Sequence, residues 1–304
     1  MAKKKKPLTK RELDRDLEKF YDHLDKQTFE SEEELKAFLA QTSGKKLGDL
    51  VPKKKDSEVT DKERAEAVLD GIEDLDFEAR ESQAKKALAI YPNLVDGHLW
   101  LAYCSDTREK SLTHFEQAVA AGREEIGPEE FEKMKGHFWG FHQTRSFMRA
   151  KAEYAMVLRE AKKYEQSILQ FKELLELNPN DNQGLRFSYA ALLIQTGKYL
   201  AYEKLMKDYE EENMAQSLFT YAIYCYKKHG NSVKSNHALA KAHVANPYFL
   251  KILLGEVEPS QKTPTTYSLG SIEEAQLYLE ENFSLFHKDK KMALWLAKFL
   301  RKHS

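Results

Sequence analysis

Very little in this sequence can hold a fold together by covalent or metal chemistry. Only two of its 304 residues are cysteine, Cys104 and Cys225. Each sits inside an apolar helical pattern, where a free thiol behaves as a small buried hydrophobe. Two isolated thiols make neither a disulfide framework nor a zinc site. Glycine and proline are scarce, at 13 and 8, which disfavours a body of short strands joined by tight turns. No sign of charge dominates either. The 48 Lys and Arg against 49 Asp and Glu leave a formal net charge of -1, so no global field draws the protein toward nucleic acid or an anionic membrane. The longest apolar stretch, Tyr189-Ala190-Ala191-Leu192-Leu193-Ile194, falls far short of the roughly 18 to 20 residues of a spanning helix. The opening Met1-Ala2-Lys3-Lys4-Lys5-Lys6-Pro7 has no apolar core behind its charges, unlike a secretory signal. These absences lead to the expectation of a soluble, cytoplasmic protein.

What is present is helical patterning. Charged residues are 32% of the chain against 41% hydrophobic, the balance of amphipathic helices. Thr9-Lys10-Arg11-Glu12 fits a capping box, a side-chain exchange that closes the first turn of a helix, and Leu13, Leu17, Phe20 and Leu24 follow at helical spacing. A second box, Ser31 to Glu34, precedes Leu35, Phe38 and Leu39, and Ser43-Gly44 stops the pattern. Pro52-Lys53-Lys54-Lys55-Asp56-Ser57 reads as an exposed linker, so residues 1–58 are expected to form a charged helical appendage.

From Thr60-Asp61-Lys62-Glu63 onward the pattern becomes periodic. Lys151 to Pro179 places Tyr154, Ala155 and Leu158 on one helix and Tyr164, Ser167, Phe171 and Leu174 on the next, with Asn178-Pro179 closing the pair. The frame recurs with Tyr189, Ala190, Leu193, Tyr199, Tyr202 and Met206, and again with Ala222, Tyr226, Ser235, Leu239, Ala242 and Pro247. Phe171 to Met206 is 35 positions and Met206 to Leu239 is 33, bracketing the period of about 34 of a tetratricopeptide repeat. Upstream, Ala84, Ala87 and Pro92 close one unit, and Leu101, Ala102, Phe115 and Ala118 form another. The spacing breaks once, because Phe115 to Phe171 is 56 positions, which implies an insertion near 122–146. There the aromatics Phe138, Trp139, Phe141 and Phe147 are expected to pack as core. After Gly255 a Pro-containing connector leads to a helix bearing Ile272, Ala275, Leu279, Phe283 and Phe286, and then to one bearing Met292, Trp295, Leu296 and Phe299. The expected architecture is all-α: a helix-pair solenoid over 59–255, with 256–304 supplying a connector and capping helices.

From about residue 59 the chain resembles a group of bacterial tetratricopeptide-like proteins, and is more distantly similar to the suppressor of tumorigenicity seven family. The resemblance is carried by Gly136-His137-Phe138-Trp139-Gly140, Gln143 to Ala150, Leu177 to Arg186, Asn246-Pro247-Tyr248 with Leu253-Leu254-Gly255, and Tyr267 to Ser271 followed by Glu274-Ala275. It implies a repeat scaffold without an assigned reaction. In those relatives Glu-Thr precedes the arginine and Pro follows it, whereas here the run is Gln143-Thr144-Arg145-Ser146. The Lys, Asn and Arg with which many tetratricopeptide domains grip a terminal carboxylate are absent from the corresponding positions, Ala152, Met156, Ser188, Ser217 and Tyr221.

No nucleophile elbow, phosphate-cradling glycine loop or paired-cysteine motif is present. His137 and His142 lie five apart, off a common helix face, and no third ligand stands nearby, so neither a metal nor another cofactor is expected. Asn178-Pro179-Asn180-Asp181-Asn182 offers several oxygens but reads as a turn and helix cap, not a cation loop. The chain is therefore expected to be no enzyme, and to bind a peptide or protein partner on the concave face of its repeats. The frame puts Ala152, Met156, Phe187, Ala191, Tyr221 and Tyr224 on that face. Arg145, Arg149 and Arg186 either tie repeats together or present donor forks to an acidic ligand. Two alternatives stay open: an RNA- or ribosome-associated factor using Lys3, Lys4, Lys5 and Lys6, and an enzyme with its site in the insertion.

Overall fold

A computed structural model describes residues 10–45, 50, 55–209, 214–286 and 289–303. Among these residues every regular element is a helix and none is a strand. In chain order the α-helices are α1 (Lys10–Asp25), α2 (Glu32–Thr42), α3 (Asp61–Val68), α4 (Phe77–Ile90), α5 (Val95–Tyr103), α6 (Arg108–Ile126), α7 (Pro128–Met134) and α8 (Arg145–Glu160). They continue with α9 (Tyr164–Leu177), α10 (Leu185–Gln195), α11 (Tyr199–Lys207), α12 (Ala215–His229), α13 (Val233–Ala245), α14 (Phe249–Leu253), α15 (Ile272–Phe286) and α16 (Lys290–His303). Packing divides the chain into two compact units. One runs to Ala161 and includes Glu176–Pro179; the other holds Lys162–Leu175 and everything from Asn180 on. The division falls inside the stretch 59–255 that the sequence reads as one array, between α8 and α9.

Helix starts follow local chemistry. Thr60 accepts from the Glu63 amide at 3.2 Å while the Glu63 carboxylate accepts from the Thr60 amide at 2.9 Å, so the expected box forms at α3. Ser31 likewise caps α2 through the Glu34 amide at 3.2 Å. The expected box at Thr9 lies outside the described residues, as do Lys3 to Lys6 and the first half of the Pro52–Ser57 linker.

In the first unit the core is built largely from small residues. Ala65, Leu69, Ile72, Ala87 and Leu94 form one cluster, with Trp100 packed against it. Val95, Leu99, Ala102, Phe115, Ala118, Ala121 and Ala150 form the next, joining α5, α6 and α8. Alanine at these contacts lets helices approach closely, and Gly122 takes this further. A Cβ there would stand 3.0 Å from the Phe147 Cβ, so any side chain would push α6 off α8. The insertion is an extension of α6 to Ile126, the short α7 and two 3-10 turns, Phe138–Gly140 and His142–Thr144. Phe131 meets Phe138 edge-on at 4.8 Å and Phe147 at 5.7 Å between ring centroids. Trp139 is half-buried, but Phe141 keeps 39% of its surface exposed and so stands outside the core expected of it. The N-terminal helix docks on this unit: Arg15 bonds Asp70 at 2.5 Å and Tyr21 stacks on His142 at 4.0 Å.

In the second unit α10 is buried from Ser188 to Ile194, as suits a helix apolar all round. Its start is held by Asp181, whose carboxylate accepts from the Leu185 amide at 2.7 Å and the Arg186 amide at 3.0 Å. That is the capping use of the Asn178–Asn182 turn. Helix α15 packs on α12 and α14 through Phe219, Phe249, Tyr278 and Phe286, with neighbouring centroids 4.2 to 6.3 Å apart. Trp295 stacks on Tyr226 at 4.5 Å and donates its indole N–H to Asn236 Oδ1 at 2.7 Å. A buried carboxylate ties the same elements together: Glu274 accepts from the Ala215 amide at 2.9 Å, the Gly270 amide at 2.7 Å and Asn246 Nδ2 at 2.9 Å. The apolar stripe expected on α15 is partly wrong. The helix kinks at the non-helical Asn282, which shifts the phase of its end, buries Leu285 and leaves Phe283 54% exposed; before the kink the buried aromatic is Tyr278.

Candidate functional site

Two of the six residues expected on a concave face lie together in the first unit. Ala152 and Met156 line an open groove of about 630 Å³ between the α5–α6 corner and α8. Its floor is apolar, formed by Phe115, Ala102 and Ala152, all buried. Tyr103, at the end of α5, rises as one wall with 46% of its surface exposed, its ring edge-on to Phe115 at 5.9 Å. The Tyr103 hydroxyl donates to the Glu153 carboxylate. Burial of that hydroxyl, and then the negative charge of Glu153, push its pKa well above the ordinary tyrosine value, so it remains a neutral donor across the physiological range. The α5–α6 corner carries Asp106, paired with Lys110 at 2.9 Å, and Arg108 at the rim. Such a groove presents fixed donors and acceptors around an apolar floor. The sequence frame missed Tyr103. Its only signal was an aromatic pair, Trp100 and Tyr103, ending a helix just before the polar Ser105-Asp106-Thr107 turn.

The other four expected residues belong to the second unit, and burial separates them. Ala191 has no exposed surface, and Tyr224 retains 5%, its ring and hydroxyl taken up by contacts within the unit. Tyr224 packs against Tyr202 at 4.7 Å and donates to Glu203, while Lys228 lies over its ring at 5.5 Å. It belongs to the packing between α11 and α12. Tyr221 is 41% exposed, and Phe187 is half-buried beneath the Arg186 guanidinium at 4.2 Å. The frame slips here because α10 and α12 are buried on nearly every side, so helical spacing alone does not mark an open face.

The three arginines also divide. Arg186 is committed within its own unit, bonding Asp181 at 2.7 Å with a side chain only 17% exposed, so it is a tie and not an open fork. Arg145 and Arg149, by contrast, line one cavity of about 50 Å³ in the first unit, joined by Arg15 from α1 and Lys62 from α3. Arg149 pairs with Asp96. Arg15 and Lys62 carry no sequence signal for this site, being far away in the chain.

Among the described residues no three His, Cys, Asp or Glu side chains converge as metal ligands, and no helix is long and apolar enough to cross a membrane. His142 of the insertion is stacked on Tyr21, and His137 is exposed. Cys104 and Cys225 are both free and buried. No protein-family model matches the chain, and no curated protein matches it.

Proposed function

We propose that this protein is a non-catalytic scaffold of tetratricopeptide-like helix pairs that binds a peptide or protein partner in the groove of its first unit. The observation that carries the reading is the groove itself, an apolar floor of Phe115, Ala102 and Ala152 walled by the exposed Tyr103 and by Met156. A tyrosine ring left exposed beside an apolar floor gives a partner large contact area with few rotors to freeze. The rim supplies the hydrogen bonds that fix orientation, with Glu153 and the Asp106–Arg108 corner at its two sides. The pairing of successive helices α5 with α6 and α12 with α13 supports the repeat reading, as does the recurrence of small residues at their contacts. The proposed setting is the cytoplasm, and the proposal invokes no cofactor.

The test is affinity capture from the native cell using the full chain and the variants Met156→Lys and Tyr103→Ala. Capture of the principal partner is expected to weaken by about 2 kcal/mol, roughly thirtyfold, with the melting temperature nearly unchanged for Met156→Lys. A partner retained undiminished by both variants overturns the groove as the binding surface.

A further inference from the structure

The cavity at the start of α8 has a second use, and the geometry points to a site for a single carboxylate group, held by Arg145. Four cations line this cavity, and three already meet carboxylates of the chain. Arg15 bonds Asp70 at 2.5 Å, Lys62 bonds Glu125 at 2.7 Å with Glu66 at 3.9 Å, and Arg149 pairs with Asp96. Among the described residues Arg145 forms no ion pair. Its guanidinium lies over the Trp139 ring at 5.5 Å, which fixes its direction, and its buried Nε finds no acceptor. That Nε is closed off from the cavity, so it is the terminal N–H groups of the unpaired guanidinium that would meet an anion.

The backbone adds to this. Thr144 holds the N-cap position of α8, yet its hydroxyl donates to the Phe138 and Phe141 carbonyls and gives no side-chain cap to the helix. Ser146 lines the same cavity, and although the Arg145 amide is already taken by the His142 carbonyl of the preceding 3-10 turn, the start of α8 sets a weak partial positive charge beside it.

Size and charge choose the ligand class. About 50 Å³ admits a group of a few heavy atoms but no ring or nucleotide. Glu66, Asp96 and Glu125 also face the cavity, so a phosphate dianion meets like charge, whereas a planar monoanion matches one unpaired guanidinium. The inference is independent of the groove reading, since Arg145 and Met156 lie three turns apart on α8 and no ligand need span them. The carboxylate has two possible sources, a free organic acid or the end of a peptide.

The experiment follows the Ser146 backbone amide of the full chain by NMR during titration with sodium acetate, against sodium chloride at equal ionic strength. Melting temperature is recorded in parallel for the native chain, Arg145→Lys and Arg145→Gln. A saturable Ser146 shift with acetate and none with chloride is expected, together with a thermal stabilisation that Arg145→Gln removes. Arg145→Lys, keeping charge but losing the fork, is expected to bind about tenfold more weakly. N-acetylalanine binding more tightly than glutarate identifies a peptide terminus as the source, and the reverse order a free acid. If neither variant folds, the Ser146 titration of the native chain decides alone. A linear or chloride-like response means the cavity holds water only, and overturns the proposal, as does a saturable response unchanged in Arg145→Gln.

Discussion

Removing the Glu274 carboxylate is expected to loosen the C-terminal helices from the rest of the second unit. The residue is 3% exposed and takes three hydrogen bonds, from the Ala215 amide that opens α12, the Gly270 amide before α15, and Asn246 Nδ2 after α13. Glu274→Ala leaves three buried donors without an acceptor. At about 1 to 3 kcal/mol each, with partial recovery by entering water, the loss should come to about 3 to 5 kcal/mol. Glu274→Gln separates hydrogen bonding from bulk. One oxygen can still serve Ala215, but the new amide then points two hydrogens at the donors Asn246 and Gly270, or the flipped amide abandons Ala215. About 2 kcal/mol is expected for this variant. Urea unfolding followed by tryptophan fluorescence reads both, because Trp295 on α16 stacks on Tyr226 of α12. If Glu274→Ala costs less than about 1 kcal/mol, or if Gln and Ala cost the same, the network does not hold these helices and the reasoning fails.

Other expectations follow from burial and charge. Tyr224→Ala should cost about 3 kcal/mol in chemical unfolding while Tyr221→Ala costs about 1 or less, because Tyr224 is 5% exposed and Tyr221 41%; equal losses would mean the burial contrast is wrong. His98 Nε2–H donates to the Pro92 carbonyl at 2.9 Å, and burial holds its imidazole below the ordinary value. Below about pH 6.5 the unfolded chain then binds more protons than the folded one, so stability should fall as pH drops through that range. Comparing urea midpoints at neutral and mildly acidic pH checks this, with His98→Asn expected to flatten the difference; an unchanged slope would exclude His98 as its source. Arg15→Ala should raise backbone hydrogen exchange across α1 without altering exchange in α5 and α6, and uniform protection would show that the Asp70 pair does not anchor the helix.

The all-helical class was readable because amphipathic spacing and capping residues are local properties. Thr60 with Glu63 and Ser31 with Glu34 form the contacts their spacing implies. The core positions Ala84, Ala87, Phe115, Ala118, Phe171 and Leu239 are buried for the same reason. What sequence could not convey depends on the third dimension. Phase along α15 changes at Asn282, whose backbone leaves the helical region, and so Phe283 turns outward. Ala191 and Tyr224 share helix faces with Phe187 and Tyr221, but Ala191 is fully buried and Tyr224 is packed against Tyr202. The pairing of Arg145 with Arg149 was legible as one helical turn. The arrival of Arg15 and Lys62 at the same cavity was not, because no periodicity links residues so far apart.

The most direct test of the groove reading is site-specific photo-crosslinking in the native cell. A benzophenone amino acid replaces Met156 in one chain and, as a control on an exposed surface of the second unit, Val244 in another. The account predicts one dominant adduct from position 156 that is absent from position 244 and is suppressed by Tyr103→Ala. Equal labelling from both positions, or no adduct at 156 while the partner is still captured by the unmodified chain, would contradict it.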